Sequence, residues 1–315
     1  MIKDLKKAEE HIVNWIKEYA KQAGVQTLVV GLSGGVDSAL TALLCKKTGI
    51  PTICVALPCK SSESSLDRAK AFAVEQKLKF TTIYLDHSYE SVMSQVETLE
   101  VADKTGLNEK NLTGKYATGG FRSCLRAPVL SYFALASKGL IVGTGNRSED
   151  NLIRYFQKFG DGCVDISPIA DLFKSEVYEL FAYMTGLTVA FRDNGVNFAE
   201  GPEASSAIYI ATPTADLWGE GEGQTDEEEL GLTYDEIEWA DRQNDITKRQ
   251  YNKAIVTYSQ DPAKHPAWLG YTGRQREVIA KVHQMEKITR HKHNPHLPIC
   301  PIRTPARGGE SDLVS

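Results

Sequence analysis

Apolar positions along the first half of the chain alternate between helical spacing and short continuous runs. Residues 3–23 place Leu5, Ala8, Ile12, Val13, Trp15, Ile16 and Tyr19 at near-helical intervals, which predicts an amphipathic helix. Thr27-Leu28-Val29-Val30-Gly31-Leu32 is apolar without alternation and reads as a buried strand, and Ala39-Leu40-Thr41-Ala42-Leu43-Leu44 then reads as a helix. A second strand follows at Thr52-Ile53-Cys54-Val55-Ala56-Leu57. Serines within 61–65 can cap a helix that runs to Lys77. Residues 80–85 read as a third strand, with a helix from Tyr89. Residues 122–138 return to helix, and Gly139-Leu140-Ile141-Val142-Gly143-Thr144-Gly145 is a strand that enters a glycine turn. Strands alternating with helices predict an α/β fold, a doubly wound parallel sheet with helices on both faces. Ligands in such sheets bind beyond the strand C-termini. Two Gly/Asn-rich stretches, 105–120 and 193–206, read as loops, and 219–245 is strongly acidic. We expect one domain over residues 1–300 and a flexible tail over 301–315.

Composition narrows the class. The chain has 315 residues, 42% hydrophobic and 24% charged, which is ordinary for a globular protein. A formal charge of −5 gives no support for nucleic-acid binding. Cys45, Cys54, Cys59, Cys124, Cys163 and Cys300 are scattered without a C-x-x-C pair, which argues against a disulfide framework and against zinc. No apolar run is long enough for a membrane span, and the start carries no signal core. The expectation is a cytoplasmic enzyme.

The sharpest chemistry is Ser33-Gly34-Gly35-Val36-Asp37-Ser38, set between the first strand and its helix. Glycines let backbone N–H groups approach an anion at a helix N-terminus, and Ser33 and Ser38 add hydroxyls. Asp37 would repel phosphate unless a metal lies between them, so the reading is Mg²⁺ held by Asp37 and pyrophosphate oxygens. The lysine of a Walker P-loop is missing. A tight turn capped by Ser33 is the plain alternative, but it needs neither two serines nor the aspartate. At these residues the chain resembles the N-type ATP pyrophosphatases, whose signature is S-G-G-x-D-S. That resemblance implies a Rossmann-like sheet of the adenine nucleotide alpha hydrolase type. It also implies cleavage of ATP between the α and β phosphates.

Other segments are ambiguous singly. Gly143-Thr144-Gly145-Asn146-Arg147-Ser148-Glu149-Asp150 is either a nucleotide loop with a second metal ligand, Glu149 or Asp150, or only a capped helix start. Lys158 and Lys174 could be solvated charges. The run 226–229 could be a solvated helix start, and Thr289-Arg290-His291-Lys292-His293 a cationic helix end. Zinc at His291, His293 and His296 lacks a nearby cysteine or carboxylate.

Taken in order, Ser33–Ser38, Gly143–Glu149, Lys158–Pro168, Lys174, Thr214–Trp218, Gln224–Tyr234 and His291-Lys292 resemble the NAD⁺ synthetase family almost end to end. The resemblance implies a ligase that adenylates deamido-NAD⁺ (nicotinic acid adenine dinucleotide) with ATP and amidates it with ammonia. The products are NAD⁺, AMP and pyrophosphate. It further implies Mg²⁺, a homodimer and no nucleic-acid or membrane partner. The first strand begins at residue 27, leaving no room for the N-terminal amidase of glutamine-dependent members. The expected nitrogen source is therefore ammonia, free or fed by a separate glutamine amidotransferase. Matched position by position, Gly31, Ser33, Gly34, Gly35, Asp37 and Ser38 hold the ATP phosphates, with Thr144, Lys174 and Thr214 also on ATP. Asp37 and Glu149 bind the metal. Arg122, Arg126, Lys158, Asp165, His291 and Lys292 meet deamido-NAD⁺, and Asp37, Lys174 and Asp165 are the catalytic set. An ammonium ion would be bound and deprotonated by a carboxylate such as Asp165 or Asp216.

The chain departs from the family pattern in three places, one of them the stretch 194–209, longer than the usual connection before Pro-Thr-Ala-Asp-Leu. Cys124 stands where the first arginine of A-R-x-R is usual, so Arg122 or Arg126 is expected to replace it while Cys124 packs into the core. One extra residue lies between Glu149 and Lys158. Two rivals remain at this level: another ATP pyrophosphatase that amidates or thiolates a different substrate, and a nucleotide-binding regulator without catalysis.

Overall fold

Strand β1, Thr27–Gly31, lies inside a parallel sheet of order β3-β2-β1-β4, with β2 at Thr52–Ala56, β3 at Lys79–Thr82 and β4 at Gly139–Val142. The computed structural model describes residues 2–96, 114–191, 197–217, 225–243, 270–294 and 296–303. Side chains alternate across a strand, and both faces of β1 are filled. Leu28 and Val30 join one core with Ile12, Ile16, Leu40, Leu44, Phe72 and Phe181. Val29 joins the other, with Val55, Ile141, Tyr89 and Met93.

The first core is covered by α1 (Leu5–Ala23), α2 (Val36–Lys47), α3 (Glu63–Glu75) and α6 (Lys174–Thr185). The second is covered by α4 (Asp86–Val96) and α5 (Lys115–Ala136). Helix α1 starts where Asp4 accepts the Lys7 N–H at 3.0 Å and stops at Gly24, which takes a left-handed φ of 68°. The Phe72 and Phe181 rings meet 5.8 Å apart, and burying each is worth about 2–3 kcal/mol.

A satellite core lies beyond the sheet. Leu152 and Ile153, on a π-helix at Arg147–Ile153, pack with Phe173, with Leu230 of the short α8 (Asp226–Leu230), with Ile237 of α9 (Tyr234–Arg242) and with Val278 and Ile279 of α10 (Gly273–Ile288). This small cluster fixes the turn that carries Glu149.

The parallel sheet and its helices on both faces agree with the sequence reading. Several boundaries do not. The helix expected at 122 begins at Lys115, inside the stretch read as a loop, and residues 97–113 fall outside the described residues. The stretch read as a loop at 193–206 carries structure: β6 (Asn197–Glu200) pairs antiparallel with β5 (Thr188–Phe191), and α7 (Glu203–Ile210) follows. Glu75 drives that correction, because its carboxylate takes the Ala204 N–H at 2.8 Å and the Ser205 N–H at 3.1 Å. Residues 301–303, expected in a flexible tail, are packed. Ile302 is buried, and Arg303 bonds the Glu176 carboxylate and the Asp171 carbonyl. No described helix is long and apolar enough to cross a membrane.

Candidate active site

Gly34 sits with φ at 89°, and a Cβ there would lie 2.2 Å from the Ser65 carbonyl oxygen. Only glycine lets α3 press so closely on the loop after β1. The serines close that loop on itself. Ser38 Oγ accepts the Ser33 N–H at 3.2 Å and donates to the Gly35 carbonyl at 2.9 Å, and Ser33 Oγ lies 3.1 Å from it. Asp37 follows in the first turn of α2.

Three further elements converge on Asp37. Asn146 caps the π-helix by accepting the Glu149 N–H at 3.1 Å, and its Nδ2 donates to Asp37 Oδ1 at 2.8 Å. Lys174, the first residue of α6 and only 4% exposed, sends its ammonium to Asp37 Oδ2 at 2.6 Å and Glu149 Oε1 at 2.9 Å. The Tyr234 hydroxyl stands 2.5 Å from Glu149 Oε1 and 2.9 Å from Asp226 Oδ2. The other Asp226 oxygen, Oδ1, is buried with no hydrogen-bond partner among the described residues. Beneath this layer, Ser148 Oγ accepts the Lys174 N–H at 3.1 Å, and Arg147 pairs with Asp171 and Asp241 at 2.7 and 2.9 Å.

The electrostatics follow from burial and from that shared ammonium. Burial acts against the charge on Lys174, but Asp37 and Glu149 outweigh it and hold the ammonium protonated well above its usual range. Burial raises Asp37 despite its tie to Lys174. Glu149 feels the same burial, but Lys174 and the Tyr234 hydroxyl hold it below the usual carboxylate value. Asp226 is pushed up to about 6, first by burial and then by the charge on Glu149. Asp150, beside Glu149, is raised well above its ordinary value by burial and by Glu149, Asp161 and Asp37.

The one-residue excess after Glu149 has a local explanation. The segment 147–153 is wound as a π-helix, a wider turn that takes up one more residue than an α-turn. The wide turn sends its two acids different ways. Glu149 meets Lys174, whereas Asp150 packs on Gly145, where a Cβ would lie 1.6 Å from its Oδ2.

A cavity of about 300 Å³ opens beyond the strand C-termini. Gly31, Ser33, Gly35, Asp37, Ser38, Thr144, Glu149, Lys174, Thr214 and Arg126 all line it. Gly34 belongs to the same loop but turns toward Ser65. The remaining residues assigned to the acceptor substrate are elsewhere. Arg122 donates to the Leu217 carbonyl and, at 3.4 Å, to the Tyr89 hydroxyl. Asp165 is exposed and accepts the Ile141 N–H at 2.7 Å. Lys158 is exposed beside the Phe159 ring. Lys292 donates to the Arg154 carbonyl at 3.1 Å and to that of Phe156, while His291 is exposed. Cys124 is half-buried rather than in the core, and burial, then the nearby Asp161 charge, raises its thiol. Its neighbour Ser123 takes the buried position and bonds Asp161. Asp216, offered as an ammonium base, is occupied by the Ser62 N–H at 3.0 Å. Sequence reasoning missed Asn146, Asp226 and Tyr234 as partners of the carboxylates. The cap signal at Asn146 was visible, but its second bond to Asp37, 109 positions away, was not. Among the described residues no cluster of three or more His, Cys, Asp or Glu is placed to hold a metal unaided.

A family model described as NAD synthase matches residues 8–295. An NH(3)-dependent NAD(+) synthetase of Carboxydothermus hydrogenoformans is 36% identical over 231 residues, 73% of this chain and 82% of that one. One from Syntrophomonas wolfei is 34% identical over 260 residues, 81% of this chain and 92% of that one. Among solved structures, an NMN synthetase from Francisella tularensis superposes with a TM-score of 0.66 at 25% identity, over 96% of this chain and 99% of that one. An NH3-dependent NAD synthetase from Campylobacter jejuni gives 0.58 at 21% identity, over 93% and 98%, a likeness of fold. With the matched model covering nearly the whole chain and the serine-glycine loop facing paired carboxylates, this chain belongs to the NAD synthase family.

Proposed function

We propose that this chain is an ammonia-dependent NAD⁺ synthetase, which adenylates the nicotinate carboxyl of deamido-NAD⁺ with ATP and then amidates it. The observation that carries the reading is the Lys174 ammonium between Asp37 and Glu149 at the mouth of the serine-glycine loop. Asp37 and Glu149 both reach one cation, a hard oxygen pair that suits Mg²⁺ completed by phosphate oxygens. When bound there, Mg²⁺ would offset phosphate charge during transfer.

The chain's own groups do the rest. Loop amides and the Ser33 and Ser38 hydroxyls receive the phosphates at the N-terminus of α2. The substrate carboxylate oxygen bonds to the α-phosphorus, the bond to the β-phosphate oxygen breaks, and pyrophosphate leaves with the electron pair. Lys174, buried and charged, places a positive group where that negative charge gathers. Asn146 and Tyr234 hold the two carboxylates in place, so that little reorganisation accompanies the step. In the second step the ammonia lone pair attacks the acyl carbon, the bond to AMP breaks, and a nitrogen proton is lost. Arg126, on the cavity wall, is the arginine we assign to an anionic part of the acceptor. Tyr132 and Leu135 leave an exposed apolar strip on α5, which suits the homodimer proposed with this reading. Six unpaired cysteines suit a reducing cytoplasm.

A mononucleotide acceptor is the second reading. It is favoured by Cys124 at the usual arginine position and by the end-to-end match to the Francisella NMN synthetase. The purified chain with ATP, Mg²⁺, ammonium and deamido-NAD⁺ should give NAD⁺, AMP and pyrophosphate in equal amounts. A parallel assay with nicotinic acid mononucleotide ranks the two acceptors by kcat/KM. Formation of neither amide, with no AMP, would overturn the proposal.

A further inference from the structure

Among the described residues, six acidic side chains line the cavity (Asp37, Glu149, Asp150, Asp161, Asp216 and Asp226) against the cations Arg68, Arg126 and Lys174. A triphosphate entering such a wall meets net repulsion unless cations are placed where it docks. Lys174 is engaged by Asp37 and Glu149. Arg126 is turned to the end of β2, donating to the Leu57 carbonyl and to Ser61, both at 3.1 Å. Arg68 is the cation bound to the phosphate loop itself. Its Nε donates to the Gly34 carbonyl at 3.3 Å, and its Nη2 donates to Ser65 Oγ at 2.9 Å.

Two features fix Arg68 relative to that loop. It lies one turn into α3, whose Ser65 carbonyl packs against Gly34 so closely that no side chain fits between them. Its own two hydrogen bonds then span the same junction. A guanidinium carries five N–H donors in a rigid plane. The two bonds above use two of them, and Nη1 makes no hydrogen bond to the protein among the described residues. The unspent edge belongs to a side chain that lines the cavity.

We propose that Arg68 is a further ATP-binding residue, whose guanidinium grips the terminal phosphates that leave as pyrophosphate. The assignment rests on the ATP-dependent reading above. A planar fork matches two phosphate oxygens at once, which a lysine cannot do. Its charge grows in value as the departing pyrophosphate gains charge, so it serves the transition state as well as binding.

The test compares Arg68→Gln, Arg68→Lys and the unaltered chain in steady-state assays with ATP, Mg²⁺, ammonium and deamido-NAD⁺. Glutamine keeps an amide that can bond the Gly34 carbonyl but removes the charge. Arg68→Gln should raise KM for ATP and the inhibition constant for pyrophosphate on the order of tenfold to a hundredfold. The inhibition constant for AMP and KM for deamido-NAD⁺ should stay within about twofold. Arg68→Lys should recover part of the loss. Normal ATP and pyrophosphate constants in Arg68→Gln would overturn the assignment. So would parallel shifts in all four constants, which would mark a structural role. If the unaltered chain forms no AMP, the ATP-dependent reading falls as well, an outcome distinct from either of these.

Discussion

Lys174 Nζ lies 2.6 Å from Asp37 Oδ2, joining the first turn of α2 to the first residue of α6 across 137 positions of sequence. The same ammonium reaches Glu149, so one buried cation ties together three elements that each present a group to the cavity. Removing one member of such a set leaves the others buried and imperfectly paired.

Asp37→Asn should therefore keep the fold, because Glu149 still pairs with Lys174, yet lose activity. The neutral amide can offset neither Mg²⁺ nor Lys174, and a loss on the order of a hundredfold or more in kcat is expected. Turnover near that of the unaltered protein, in a variant with an unchanged thermal transition, would remove Asp37 from the metal role.

The divergence of Glu149 and Asp150 predicts different phenotypes for neighbouring acids. Glu149→Gln should raise the Mg²⁺ concentration needed for half-maximal rate on the order of tenfold or more. Asp150→Asn should leave that requirement near normal, because its carboxylate packs on Gly145 instead of facing Lys174. Mg²⁺ titrations of both variants decide the matter, and a larger shift for Asp150→Asn would reverse the assignment.

The arginines on α5 separate in the same way. Arg126→Ala should raise KM for the nicotinate substrate, since Arg126 lines the cavity. Arg122→Ala should act on ATP binding, because Arg122 holds the Leu217 carbonyl at the end of the stretch bearing Thr214. Cys124→Ser should leave turnover nearly unchanged. A normal nicotinate KM in Arg126→Ala, or an inactive but folded Cys124→Ser, would show that the acceptor is held otherwise.

With ammonium as nitrogen source, the rate should climb with pH as the neutral ammonia fraction grows, and glutamine alone should support little turnover. Efficient use of glutamine by the isolated chain would contradict the ammonia-dependent reading.

Cys54 gives a stability prediction with a defined sign. Burial raises its thiol from 9.0 to about 12. The unfolded chain therefore releases that proton near pH 9 while the folded chain keeps it. Stability from this group is complete below pH 9 and is lost as pH rises toward 12. Each pH unit in that window should cost about 1.4 kcal/mol for this thiol. Urea unfolding at pH 8.5 to 10.5 should show a shallower decline for Cys54→Ala than for the unaltered chain; equal slopes would refute it.

The sequence by itself determined the local frame. The apolar runs at 27–32 and 52–57 marked buried strands because a strand covered on both faces has no polar alternation to lose. Ser33–Ser38 and the ordered segments after it marked the candidate phosphate loop and the family, because glycine, serine and aspartate at fixed offsets carry their chemistry locally. The hairpin of β5 and β6 and the helix after it went unread, because the Gly- and Asn-rich stretch between them reads locally as a loop while α7 is anchored by Glu75, far back in the chain. Only the tertiary structure decided which acids and bases meet. Asn146 and Asp226 read as a cap and a solvated acid, and Tyr234 only as part of a segment resembling the family, yet packing of the satellite core turns them onto Asp37 and Glu149. Likewise Lys174 was ambiguous taken singly and gained a role only through the family resemblance, and Arg68 went unread. Lys174 meets Asp37 across 137 positions and Arg68 meets Gly34 across 34, and a charge's role is defined by what folding brings within a few ångströms of it.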